Sequence, residues 1–180
     1  KPTSLLSVLF RAAADGVTGV LTQSRTDGTL RLSYVEGKIL EVDTDIPALS
    51  LTRYLLGQRV FTQAALDDQL PIPPSRSGDL GDALIAAGLV PPHVFMEQLV
   101  SWARWALGGA LTGPSDGVVL ESTPPPPPQI PLSFDRFGVL IEAVRANAEP
   151  SVVQHWLSAL ASRAVIPSSP QGAKAEDLKL

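Results

Sequence analysis

The sequence predicts an α+β protein: a small antiparallel β-meander covered by a helix, followed by a helical repeat pair and C-terminal helices. Three observations carry that prediction. Apolar residues recur at helical spacing over 4–14 and then switch to a period of two over 17–43, between turn signals. From Leu51 to Leu99 the chain says the same thing twice at an offset of 29 residues, without a gap. Leu51 falls on Leu80, Leu55 on Leu84, Leu56 on Ile85, Val60 on Leu89 and Leu70 on Leu99.

The first helix, Ser4 to Ala14, gathers Leu5, Leu6, Leu9, Ala12 and Ala13 on one face and stops at Asp15-Gly16. Val17 to Gln23 reads as a strand, and Thr26-Asp27-Gly28 as a turn. Leu30, Leu32 and Tyr34 alternate with Arg31, Ser33 and Val35, as a half-buried strand requires. After Glu36-Gly37, Lys38 to Asp43 gives a third strand with Leu40 and Val42 expected on one face. Asp45 and Pro47 open the next helix.

Each repeat copy reads as a short helix, a tight turn and a second helix, with a Pro/Ser-rich loop from Pro71 to Gly78 between copies. The second copy runs into a helix over Pro92 to Gly108, which Gly108-Gly109 is expected to end. Its apolar face holds Phe95, Met96, Leu99, Val100, Trp102, Ala103, Ala106 and Leu107; Glu97, Ser101, Arg104 and Trp105 fall opposite. Val118 to Glu121 is a short strand. Pro124 to Pro128 is a polyproline rod of about 15 Å, at roughly 3.1 Å per residue. Two closing helices follow: 134–146, with Phe137, Leu140, Ile141 and Val144 on its face, and 151–163. The expected divisions are therefore 1–70, 71–123, a linker at 124–133, a helical pair at 134–166 and a tail at 167–180.

With 44% hydrophobic residues, 180 positions suffice for one sizeable core or two small ones sharing an interface. A net charge of −4 argues against a nucleic-acid-binding domain, which concentrates basic surface. The absence of cysteine removes disulfides, thiol nucleophiles and thiolate metal sites, and fits a cytoplasmic protein. Apolar runs break well short of the roughly 18 residues of a membrane span, so no membrane insertion is expected. The chain opens on a lysine with no leader pattern after it, and is expected to start inside a longer protein.

Chemistry-bearing patterns are missing. His93 and His155 stand far apart with no metal-ligand spacing around either, and there is no phosphate loop or nucleophile elbow. Asp67 and Asp68, at consecutive helical positions, point in different directions and read as a solvated face. No enzyme activity, metal or cofactor is expected. Two features have two readings each. The proline run is a stiff spacer or a ligand for an aromatic-lined groove. Trp105 is buried by packing or stands on the polar face as a partner anchor.

One stretch resembles a known family. A helix, Thr18-Gly19-Val20-Leu21, the segment Tyr34-Val35-Glu36-Gly37-Lys38-Ile39, and an acidic link into Leu51-Thr52-Arg53-Tyr54-Leu55 resemble the PATAN domain. The repeats resemble segments that follow it in deltaproteobacterial members. Leu80-Gly81-Asp82-Ala83-Leu84-Ile85-Ala86-Ala87-Gly88-Leu89-Val90 matches well, whereas the first copy has Thr52 and Arg59 in place of the two glycines. The resemblance covers about residues 4 to 122. It implies a non-enzymatic interaction module, or scaffold, of bacterial signalling, motility or cell polarity, with a response-regulator receiver domain or small GTPase as partner. Trp105, Arg104, Arg31 and Arg53 are the candidate partner contacts.

Leu80 to Leu99 is also similar to the N-terminal cyclic-di-GMP-binding domain of type II secretion and type IV pilus ATPases. That resemblance makes Leu80, Gly81, Leu84 and Gly88 candidate nucleotide contacts. Against it, Asp79 stands where that motif has an arginine and Trp102 where it has a glutamine. A homodimerising structural part is the third reading.

Overall fold

The computed structural model describes residues 5–74, 76–112, 116–128, 130–132 and 134–147. It is an α+β fold built on one four-stranded antiparallel sheet of order β3-β2-β1-β4. Helix α1 (Leu5–Ala14) leads into β1 (Gly19–Arg25), β2 (Gly28–Val35) and β3 (Lys38–Thr44). β4 (Gly117–Glu121) returns from far along the chain to pair with β1, Val20 opposite Glu121 and Ser24 opposite Gly117. Leu21, Leu30, Leu32 and Tyr34 point into one core with Leu5, Leu9, Ala12 and Ala13 of α1.

The link from β2 to β3 is a two-residue turn with both central residues at positive φ, Glu36 at 50° and Gly37 at 76°, as the primed hairpin turns require. A Cβ on Gly37 would lie 2.7 Å from the Ala13 carbonyl oxygen, so this turn packs directly on the end of α1. β3 departs from simple alternation. Pairing steps from Ser33↔Glu41 to Tyr34↔Ile39, leaving Leu40 as the extra residue of a bulge. Ile39 and Val42 are therefore buried, and Leu40, expected inward with Val42, is only half-buried.

Pro47–Leu49 forms a single 3-10 turn rather than the start of the helix. α2 (Leu51–Gly57) begins after Ser50, whose hydroxyl accepts the Arg53 N–H at 3.3 Å. α3 (Gln63–Gln69) is capped by Thr62 in the same way, from Ala65 N at 3.2 Å. α4 (Ser77–Ala86) and α5 (Pro92–Thr112) complete the second copy.

Gly108-Gly109 does not end α5. Gly108 is buried, and a Cβ on Gly109 would sit 2.5 Å from Leu49 Cδ2. Gly109 lets the helix approach the 3-10 turn, which outweighs its low helix propensity. The buried stripe of α5 keeps Phe95, Leu99, Trp102, Ala103, Ala106 and Leu107, but Met96 is exposed and Val100 half-buried.

α6 (Gly138–Asn147) lies along α5 and buries Val139, Leu140 and Ala143. The expected face is thus rotated: Phe137 and Ile141 are exposed. Residues Lys1–Ala148 form one compact unit, within which the boundaries expected at 70 and 123 fall. The helix expected at 151–163 and the tail at 167–180 lie outside the described residues.

Candidate interaction surfaces

The repeat is real at the level of the backbone. α2 ends at Gly57 and α4 at Ala86, and α3 starts at Gln63 and α5 at Pro92, each pair 29 residues apart. Both first helices close with the same paired bonds. In α2, Arg59 N donates to Leu56 O at 3.0 Å and Val60 N to Leu55 O at 3.1 Å; in α4, Gly88 N donates to Ile85 O and Leu89 N to Leu84 O, both at 3.0 Å.

That geometry decides what the suggested nucleotide contacts do. Leu80, Gly81 and Leu84 are buried in the core. A Cβ on Gly81 would meet the Phe95 ring at 2.5 Å, so this glycine makes room for a neighbouring side chain. Gly88 sits at φ 70° to close the helix. All four have structural work, and the three buried ones offer no surface to a nucleotide.

The four suggested protein contacts do not form one surface. Arg31 projects from the open face of the sheet, on the side away from the core. Arg104 is engaged within the chain: its Nε lies 3.0 Å from Glu142 Oε2, and its guanidinium carbon 5.9 Å from the centre of the Phe134 ring. It ties α5 to the segment leading into α6 and to α6 itself. Trp105 and Arg53 do belong together. Trp105 is 39% exposed and rests on Tyr54, ring centres 5.4 Å apart, and Arg53 is the exposed neighbour of Tyr54 on α2. Trp102 is buried, with its indole Nε1 donating to Leu49 O at 2.9 Å.

The open face of the sheet carries a feature with no signal in local periodicity. A cleft of about 540 Å³ lies over it, walled by Val20, Thr22, Arg31, Ser33, Glu41 and Asp43. Glu121, Arg76, Asp45 and Pro126 also border it. Two of its carboxylates are held by neighbours. Glu41 Oε2 accepts the Ser33 hydroxyl at 3.2 Å, and Asp45 Oδ1 accepts both the backbone N–H and the hydroxyl of Thr29.

Two buried polar side chains stand on the inner face of the sheet. Gln23, on the inner face of β1, donates through Nε2 to Ala110 O at 3.3 Å and fastens the sheet to the last turn of α5. The Tyr34 hydroxyl has no partner among the described residues, and burial raises its pKa far above the ordinary phenol value. Among the described residues no group of three or more acidic or histidine side chains is placed to hold a metal ion. No described helix is long and apolar enough to cross a membrane. No family model matches the chain, and no curated protein or solved structure shows a significant match to it.

Proposed function

We propose that this chain is a non-enzymatic protein–protein interaction module of a cytoplasmic bacterial signalling, motility or polarity complex, engaging a receiver domain or a small GTPase system. The observation that carries the reading is the Tyr54–Trp105 pair, an aromatic platform left half-open to solvent beside the exposed guanidinium of Arg53. A tryptophan on a firm base loses little freedom when covered, and tryptophan, tyrosine and arginine are the residues that dominate binding energy at interfaces. Arg53 adds a cation at the rim, where charge steers approach and orientation. The class of partner comes from the PATAN resemblance alone.

Capture from a native lysate on the immobilised protein tests both parts. The parent is expected to retain a receiver-domain protein or a GTPase, and Trp105→Ala, with its melting temperature unchanged, to weaken retention by about 2 kcal/mol. Equal retention by both proteins would remove the aromatic platform from the interface. A captured set with neither class would end the assignment of partner. Micromolar binding of cyclic di-GMP by titration calorimetry would favour the nucleotide reading instead.

A further inference from the structure

The proline run is neither a tether nor a loose loop. It leaves β4 at Glu121, which pairs with Val20 at one edge of the sheet. It lands at the other edge, where Leu132 N donates to Leu40 O of β3 at 2.7 Å. Glu121, Val20, Ser33 and Glu41 make one row across the four strands, and all four border the cleft that the middle proline, Pro126, also lines. The run is a strap over the open face. Reach does not limit the crossing: three inter-strand gaps come to about 14 Å, which the five prolines alone span at about 15 Å of polyproline helix.

Exposure along the strap follows the three-residue period of that helix. Pro125 and Pro128 are half-buried; Pro124, Pro126 and Pro127 are exposed. Pro125 and Pro128 therefore form a seated edge. Pro124 and Pro127 share a second edge, and Pro126 lies on the third. The Pro124–Pro127 edge is the outward one and Pro126 opens onto the cleft, in a segment anchored at Glu121 and Leu132, with no proline in it able to donate a backbone hydrogen bond.

We infer that the Pro124–Pro128 strap is a preformed ligand for a protein domain with an aromatic-lined, basic-rimmed groove. Such grooves recognise the polyproline helix, and a rod already ordered gives up little conformational entropy on docking. The basic rim follows from charge: the cleft under the strap carries Glu41, Asp43, Asp45 and Glu121 against Arg31 and Arg76, four negative groups to two positive. This surface lies on the open face of the sheet, away from the core, and goes beyond the Tyr54–Trp105 platform, so each stands or falls alone.

The test titrates the full chain into isotopically labelled SH3, WW and EVH1 domains and follows amide shifts in each groove. At least one domain is expected to bind with Kd below about 1 mM. The double variant Pro124→Ala/Pro127→Ala, on an exposed edge, is expected to weaken that binding at least about tenfold at an unchanged melting temperature. Pro125→Ala/Pro128→Ala, on the seated edge, is expected to lower the melting temperature instead. Absence of groove shifts with all three domains overturns the inference. So do shifts that persist unchanged in the Pro124/Pro127 variant.

Discussion

The two copies of the repeat share a backbone and differ in how they fill it. In the second, Gly81 lies under the Phe95 ring. In the first, the corresponding positions are Thr52, larger than glycine, and Leu66, smaller than phenylalanine and likewise buried. The glycine missing from the first copy thus goes with a smaller residue at the position equivalent to Phe95. The helix-ending glycine differs in another way: Arg59 takes φ 57° where Gly88 takes 70°, and the same two hydrogen bonds form. One difference is exchanged volume and the other is tolerated strain. The second copy also continues, since α5 runs to Thr112 while α3 stops at Gln69. That extension carries Trp102 and Gly109, both set against Leu49 just before the first copy begins.

The extension should matter most, because it closes the second copy onto the first. Trp102→Ala removes a fully buried indole and is expected to cost about 4 kcal/mol. Trp102→Phe keeps most of the ring volume but leaves the Leu49 carbonyl without its donor, for about 1–2 kcal/mol. Urea melts of the two variants separate packing from hydrogen bonding. If Trp102→Phe is as damaging as Trp102→Ala, the Leu49 bond, rather than the volume, holds the copies together.

Exchanged volume has its own test. Gly81→Thr forces a side chain against the Phe95 ring and is expected to cost about 2–3 kcal/mol. Phe95→Leu leaves a cavity and is expected to cost about 1–2 kcal/mol. The double variant recreates the first copy's pairing inside the second and should cost less than the sum, with a coupling of at least about 1 kcal/mol. Additive losses would mean that the two sites do not compensate each other.

Much of this architecture is legible in local pattern. The alternation of Leu30, Leu32 and Tyr34 marks the inner face of β2 directly, and the offset of 29 survives as matched helix ends. What failed depended on contacts distant in sequence. Gly108-Gly109 looks like a helix stop until Leu49, some sixty residues earlier, is placed against it. Leu40 obeys the two-residue period until a bulge, set by pairing with β2, shifts the register. The surfaces show the same divide. Trp105 could be placed off the apolar stripe from spacing alone, but its support by Tyr54 on another helix could not. Arg104 looks like a free charge in sequence, because its partner Glu142 lies in an element that comes alongside only when the chain folds. The strap is the least legible element in sequence. A run of prolines states its own conformation but not the surface it crosses, which is fixed by β4 pairing with a strand nearly a hundred residues earlier.

The smallest expected effect is the most direct probe of tolerated strain. A side chain in the left-handed region costs roughly 1 kcal/mol, against a similar entropic cost of ordering glycine. Arg59→Gly should therefore stabilise by no more than about 0.5–1 kcal/mol. Gly88→Ala introduces the same strain with open space around its Cβ and should destabilise by about 1 kcal/mol. With no neighbour within 4 Å to confuse the result, backbone strain is the only term that Gly88→Ala changes on the folded side. Opposite signs for the two substitutions, measured by thermal melting, would show that both copies hold one backbone and that only the second relieved its strain with glycine. A loss in both would mean that the Arg59 side chain contributes more to the first copy than its φ costs.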